Sequence, residues 1–484
     1  MKVKFLIYFV LLLLVFIPVF GFLNDLPIRL WDESRLSVNA LEMYFNKNYL
    51  VTFYQGKPDL WNTKPPLLIW FQVMSFNVFG LNEFAFRFPS ALAHFLILVI
   101  AIIFSEKYIK NKWFGIIWVL VILTSQGLLN IHSSRTGDYD TMLSFANFVY
   151  LLSFYLFVET KKIKFLYISV IFITISFLTK GIAGLMFLPA LLIYAIIKKQ
   201  SLDIIKNKHF YFGILIFILF GLSYYFIREY YNNGYINAVM NNEMGGRFLK
   251  INEEHNETVF FYFNDIINNR FNHWYLFIPI GIIFTFFTKN NNLKQFGIYS
   301  LIVFLSYILI ISISKTKLAW YDLPLRPFIS FFVSLSIFEI AKYLYNNNKI
   351  IKYTRKALII PLVLVLILFI NPYKEIIKNT YKPKEYSWDI RKFEIGYFLK
   401  DAVKGNIDLN NVLLINSGYN PQNYFYIRLL QNEGVKIKMT DINNLKKTDR
   451  FILVNDNDLK QIKDLYLVKV IFEKYNKSIY EIEN

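Results

Sequence analysis

Six short stretches of this chain place acids and bases within a few residues of long apolar runs. "RLWDESRLS" holds Asp32, Glu33 and Arg35, "NTKPP" holds Lys64, and "SSRTGDYDTM" holds Arg135, Asp138 and Asp140. "FLTKGIAG" adds Lys180, "NNEMGGRFL" adds Glu243 and Arg247, and "SISKTKLAWYDLP" adds Lys315, Lys317, Tyr321 and Asp322. Taken singly, each charge could simply anchor a helix end at a membrane interface. Charge near a bilayer is costly, however, and acids and bases there tend to pair or to serve a site. If the six clusters share one face, carboxylates from separate loops stand beside several cations. The chemistry this suits is transfer on an anionic, lipid-linked substrate, with the cations holding a phosphate and a carboxylate accepting a proton.

Composition agrees with a membrane setting. Of 484 residues, 55% are hydrophobic and 19% aromatic, too apolar for a soluble protein. The net charge of +19 reads as cytoplasmic loops rather than as a nucleic-acid surface. The absence of cysteine excludes disulfides, thiolate metal sites and cysteine nucleophiles. His132, His255 and His273 show no metal-ligand spacing and read as ordinary loop or interface residues.

The elements that must position the charges are membrane helices. An apolar run from Phe5 to Leu23 reads as an uncleaved first span. Ten further spans are expected near 89–105, 113–131, 141–158, 165–178, 183–197, 210–227, 274–288, 296–314, 324–341 and 357–371. The stretch 67–81 is ambiguous: it is short and contains Gln72, Ser75 and Asn77. Charge bias decides it. If it does not cross, the segments 1–4, 106–112, 159–164, 198–209, 289–295 and 342–356 are all cytoplasmic. They carry 19 Lys and Arg against only Glu106, Glu159 and Asp203. Residues 66–81 are therefore expected to form an interfacial helix, with Leu67, Phe71, Met74 and Val78 on one stripe.

This gives about eleven transmembrane helices, a cytoplasmic amino terminus and all six charged clusters on the external side. Residues 1–371 are expected to form the transmembrane catalytic domain, with 24–88 as its first external loop. Residues 372–484 alternate strand-like runs ("NVLLINSG", "VKIKMTD", "RFILVND", "YLVKVIFE") with helical ones ("NPQNYFYIRLL", "DLKQIKDL"), which suggests a small external α/β domain.

The motifs carry a resemblance. "WDESR", "KPPLLIWF" followed by "FGLNEFAFRFPSALA", "SSRTGDYDTMLSF", "FLTKGIAGLMFLP", "NNEMGGRF" and "SKTKLAWYDLPLRP" occur in this order over residues 25–330. In these features the chain resembles the GT-C superfamily of integral-membrane glycosyltransferases. Within it, the resemblance is to the group containing bacterial protein O-mannosyltransferases and lipid A aminoarabinose transferases. The resemblance implies a GT-C fold with periplasmic interfacial helices. It also implies transfer of a hexosyl or pentosyl unit, with inversion, from undecaprenyl phosphate to a lipid, glycan or protein acceptor. The implied place is the periplasmic face of the bacterial inner membrane.

It further implies roles. Asp32 stands where the family places a first-loop acid and is the expected base, with Glu33 as runner-up and Asp138 as a second acid that orients the acceptor or base. Lys64 matches the family lysine that meets the donor phosphate. Arg135, Lys180, Arg247, Lys315 and Lys317 are further cationic contacts, and Glu243 and Tyr321 complete the binding set. Relatives often carry an acid before the "KPP" lysine that has been linked to metal. Here Asn62 and Thr63 precede it, and neutral oxygens are poor ligands for a divalent cation. No cofactor is therefore assigned, and a divalent metal is not expected at this position, while Glu243 and the other acids leave one open elsewhere. The rival readings are a flippase or transporter, a polymerase or ligase for polyprenyl-linked sugars, and a sensor whose tail binds a partner. Midplane charges and inverted repeats would favour transport. Neither is visible, and nucleic acid is not an expected partner.

Overall fold

A computed structural model of the chain describes residues 2–126, 129, 132–243, 257–347, 359–381, 385 and 390–483. It divides into two compact units. One comprises Met1–Gly21, Asp59–Leu68 and Arg87–Lys382; the other comprises Phe22–Pro58, Ile69–Phe86 and Pro383–Asn484. The residues expected in one long first loop are thus shared between the two.

The larger unit is helical. Among the described residues, six helices are long and apolar enough to cross a membrane: Glu83–Ile109, Tyr139–Thr160, Ile163–Leu185, Lys208–Tyr231, Asn291–Ile313 and Leu323–Asn346. The expected spans near 1–23, 113–131, 183–197 and 274–288 appear as shorter apolar helices, Phe5–Phe20, Lys112–Thr124, Leu188–Ile197 and Phe277–Phe287. The last expected span lies in the helix Ile359–Tyr381. The protein is a multi-pass membrane protein. Helix ends alternate as antiparallel neighbours require. Lys198 bridges Glu159 at 2.7 Å and Gln295 at 2.8 Å at one end, while Asp140 and Lys180 meet at the other.

Local sequence sets these ends. Lys161 adopts a left-handed conformation and stops the helix that begins at Tyr139, so the next helix returns after one further residue. Gly181, at φ 56°, stops that second helix directly after Lys180. Close helix contact is equally specific. A Cβ added at Gly281, in the helix Phe277–Phe287, would lie 1.9 Å from the carbonyl oxygen of Phe332. Gly281→Ala is expected to cost roughly 1–3 kcal/mol of stability, because backbone rather than a flexible side chain must move. A thermal melt of the detergent-solubilised variant within a degree of wild type would exclude this packing.

The helix Leu67–Phe79 leaves Phe71, Met74 and Val78 41%, 60% and 73% exposed, so the expected apolar stripe faces outward. In the second unit, a two-residue hairpin, β1 (Phe53–Tyr54) with β2 (Lys57–Pro58), follows the helix Asp32–Asn46. The tail forms a five-stranded sheet from β3 (Val412–Ile415), β4 (Ile437–Thr440), β5 (Arg450–Leu453), β6 (Val468–Lys474) and β7 (Lys477–Ile482), in the order β4-β3-β5-β7-β6. β4, β3 and β5 are parallel, with the helix Pro421–Asn432 as the β3–β4 crossover. β7 is the strand that sequence reading omitted. It is reached through a two-residue turn, Tyr475-Asn476, with positive φ at both positions, the geometry that a tight hairpin needs.

Candidate functional site

In the larger unit, helix ends and loops bring several of the expected residues to one cleft. The loop before the helix Leu67–Phe79 is built by Asp59, whose Oδ1 accepts the backbone N–H groups of Trp61 at 2.9 Å and Asn62 at 3.2 Å. Arg228, fully buried, donates to the Asp59 carbonyl at 3.1 Å and fixes the turn from outside the loop. The Asn62 amide donates to the Tyr139 hydroxyl at 2.9 Å, and Tyr235 donates to the Thr63 carbonyl at 2.8 Å. Lys64 is therefore delivered on a rigid turn. Its Nζ lies 3.4 Å from Glu243 Oε1 and 5.8 Å from the centre of the Tyr139 ring. Thr63 donates its hydroxyl to the same Glu243 oxygen at 3.0 Å.

A second pair lies deeper. Lys180 Nζ and Asp140 Oδ1 are 2.5 Å apart, with both side chains less than 10% exposed. The ammonium also stands 5.5 Å from the centre of the Tyr321 ring. An open cleft of about 630 Å³, mouth included, is lined by Asp140, Lys180, Glu243 and Tyr321 on its polar side and by residues such as Ile310 and Ile311 on its apolar side. On the turn beyond the helix Asn291–Ile313, Lys315 is exposed. Lys317 is buried and donates to the Ser314 carbonyl at 2.8 Å. Burial first, and then the charge on Lys315, lower the Lys317 pKa, with Glu257 opposing. This turn thus brings two lysines together, with Glu257 as the described counter-charge.

Asp138 caps the helix Tyr139–Thr160, accepting the Tyr139 N–H at 2.7 Å. Its other oxygen meets His132 Nδ1 at 2.5 Å, and the His132 ring stacks on Trp320 with centroids 3.6 Å apart. Burial alone would raise the Asp138 pKa. The hydrogen bond and charge of His132, aided by Lys180, outweigh that and hold it down to about 2. Its ionised form is therefore stabilised at every pH above the unfolded value of 3.8, and that stabilisation is lost only as pH falls through about 2. An acid this strong is a poor proton acceptor near neutrality but a good fixed charge. Asp138→Asn is expected to leave the acidic limb of the pH–rate profile where it is in wild type. A limb displaced by a unit or more would make Asp138 the titrating base.

Other expected residues go elsewhere. The Arg135 guanidinium donates to the carbonyls of Gly21 at 2.5 Å and Pro18 at 3.4 Å, satisfying the end of the first helix. Asp322, from the "WYDLP" motif, forms a fully buried pair with Arg326 at 2.6 Å. Arg247 and His255 lie outside the described residues. His132 was expected to be an ordinary loop residue, and the structure gives it both a carboxylate and an aromatic partner. Its signal was present in the sequence only as a histidine six residues before Asp138, which is no recognisable pattern.

In the second unit, Asp32 opens the helix Asp32–Asn46 and is half-buried. Glu33 is 3% exposed and its Oε2 accepts the Arg29 N–H at 2.9 Å, so this carboxylate closes the turn before its own helix. In the larger unit, Thr63 and Lys64 both meet the same Glu243 oxygen.

Comparisons with known proteins bear on what this arrangement is. Residues 63–225 match the family described as dolichyl-phosphate-mannose-protein mannosyltransferase. The chain is 28% identical over 368 residues to the undecaprenyl phosphate-alpha-4-amino-4-deoxy-L-arabinose arabinosyl transferase of Wigglesworthia glossinidia brevipalpis, covering 74% of this chain and 63% of that one. It is 26% identical over 329 residues to an uncharacterized protein of Aquifex aeolicus, covering 65% of this chain and 61% of the relative. These matches thus span less than two thirds of either relative's length. The structure of ArnT from Cupriavidus metallidurans bound to undecaprenyl phosphate superimposes with a TM-score of 0.73, over 98% of this chain and 97% of that one, at 12% identity. The chain thus has a GT-C-type fold, and over residues 63–225 it is similar to the mannosyltransferase family named above.

Proposed function

We propose that the protein transfers a monosaccharide from a polyprenyl phosphate, undecaprenyl phosphate in a bacterium, to an acceptor oxygen at the external face of the membrane. The observation that carries this reading is the cleft itself. Lys180 shares the cleft with apolar residues such as Ile310 and Ile311, and Lys315 and Lys317 stand together on the turn that follows Ser314 of its lining. A lipid phosphate matches both features, since its chain seeks apolar wall and its head group seeks fixed cations. The structural relative's bound undecaprenyl phosphate and the Wigglesworthia enzyme's named donor support the same donor class.

In this reading the acceptor oxygen attacks the anomeric carbon and forms the new C–O bond. The bond from that carbon to the phosphate oxygen breaks, and its electron pair leaves with the phosphate. Attack opposite the leaving group inverts the centre. Asp32 takes the acceptor proton, and Asp138, held ionised, orients rather than titrates. Glu33 is less suited because a backbone N–H already occupies its buried carboxylate. Lys64 and Lys180 exchange part of their contact with Glu243 and Asp140 for the departing phosphate. The 19 cations of the opposite loops support the external location.

The test is donor turnover. Purified protein in nanodiscs is supplied with undecaprenyl phosphate carrying isotopically labelled sugars, and the products of an envelope extract are followed by mass spectrometry. Cleavage of the sugar–phosphate bond with label appearing in an acceptor is the expected result. Movement of intact donor across vesicles without cleavage would replace the transferase with a flippase. Lys64→Ala is expected to weaken undecaprenyl phosphate binding about tenfold or more, the loss of one charged hydrogen bond. Unchanged affinity by calorimetry would remove Lys64 from the donor contact.

A further inference from the structure

The reaction proposed above gives His132 no role, although its ring is closely held on two sides. Nδ1 lies 2.5 Å from Asp138 Oδ2. One face of the ring lies on Trp320, with centroids 3.6 Å apart and planes 18° from parallel.

Both supports are fixed. His132 has φ 57°, a left-handed backbone that a residue other than glycine keeps only where its surroundings enforce it. The loop from His132 to Asp138 is pinned along its length. Ser134 Oγ lies 3.1 Å from His94 Nδ1, Arg135 donates to the Gly21 and Pro18 carbonyls, and Ser90 donates to the Asp138 carbonyl at 3.0 Å. The turn that carries Trp320 is pinned on both sides of it. Arg270 donates to the Ala319 carbonyl at 3.2 Å, and Tyr307 donates to the Tyr321 carbonyl at 3.0 Å.

Charge gives this arrangement a purpose. Asp138 and Asp140 are both buried and only two residues apart, and Lys180 stands 2.5 Å from Asp140. Two buried carboxylates this near one another each disfavour the other's ionised form, and one lysine offsets only one of them. A neutral imidazole donates a hydrogen bond from Nδ1 but leaves the second charge unbalanced. An imidazolium balances it, and it gains as well from the Trp320 face, since indole holds a cation better than other aromatic side chains. Lys180 from the helix Ile163–Lys180 also acts on Asp138, and Asp140 is the facing acid on the helix Tyr139–Thr160.

We propose that His132 is a positioning residue, held as an imidazolium between Trp320 and Asp138, whose fixed charge keeps Asp138 ionised beside Asp140. The proposal rests on the transferase reading and gives work to a group that reading leaves unused. It also leaves the Lys180 charge for Asp140 and the donor phosphate. His132 keeps its proton throughout, so no step of the transfer passes through the ring.

The test uses full-length protein in nanodiscs and has two arms. The chain has five histidines, so 15N-labelled histidine gives few ring signals, and that of His132 is the one lost in His132→Phe and in His132→Arg. Protonation of both His132 ring nitrogens at pH 7 is the expected result. A neutral ring would overturn the proposal, and this arm needs no activity. The second arm follows kcat for labelled donor against pH. His132→Phe keeps a ring on Trp320 but removes the counter-charge, so Asp138 takes up a proton at higher pH than in wild type. The acidic limb is expected to move up by about one pH unit or more, a shift that a merely structural role would not produce. Adding Asp138→Asn is expected to return the limb to its wild-type position, and His132→Arg, which keeps a cation, is expected to leave it there. An unmoved limb in His132→Phe, or a shift that persists in the double variant, would overturn the proposal. Wild-type protein that shows the imidazolium but cleaves no donor would overturn the transferase reading and, with it, the role given to the ion pair.

Discussion

Asp32→Asn is expected to lower sugar transfer by about 10²–10⁴-fold, the usual contribution of a positioned general base. The substitution is nearly isosteric and keeps an oxygen in the first turn of the helix Asp32–Asn46, so folding and membrane insertion are expected to survive. Donor affinity is also expected to survive, because the phosphate contacts assigned above come from lysines. Loss of turnover with retained binding of undecaprenyl phosphate is therefore the diagnostic pattern. Glu33→Gln is the internal control. The amide oxygen can still accept the Arg29 N–H, so transfer is expected to stay within a few fold of wild type. Turnover by Asp32→Asn close to wild type would remove Asp32 from the reaction. Loss in Glu33→Gln alone would transfer the role to its neighbour.

Much of this could be read from the sequence because membrane helices obey strong constraints. Backbone groups in lipid must be satisfied within the helix, so apolar length alone reveals where the spans lie. The weakest expectations concern short helices, such as Leu188–Ile197, where apolar composition is clear but the helix itself is short. The strand β7 was missed because "KSIYEI" alternates charge and apolar residues too briefly to stand out against the preceding loop. The Glu33 contact could not be foreseen either, since a carboxylate that satisfies a backbone N–H four residues earlier looks in sequence like any solvated acid.

The pair of Asp140 and Lys180 is a different case, because its signal was present and was not used. Asp140 precedes the turn at Lys161–Lys162 by about as many residues as Lys180 follows it. Two antiparallel helices of equal rise per residue return the chain to nearly the same height. An acid and a base at matched distances from a tight turn are therefore expected to meet. Arg135 shows the opposite limit. Its use on the carbonyls of Pro18 and Gly21 depends on packing between segments more than a hundred residues apart.

Lys180→Ala is expected to be the most damaging single change in the helical unit. Removing one member of a buried ion pair leaves the Asp140 carboxylate without its cation, at a cost of about 3–5 kcal/mol. Transfer is expected to disappear as well, but that loss alone would not separate instability from lost phosphate contact. The double variant Lys180→Met with Asp140→Leu separates them. It removes both charges, keeps apolar volume, and is expected to recover most of the stability, since apolar replacement of a buried pair is often neutral or better. If Lys180 also serves the donor phosphate, the double variant folds, melts near the wild-type temperature, and still fails to bind undecaprenyl phosphate or to transfer sugar. A stable double variant with donor affinity and turnover like wild type would reduce the pair to a structural clamp, leaving Lys64 and the Lys315–Lys317 turn to meet the phosphate alone.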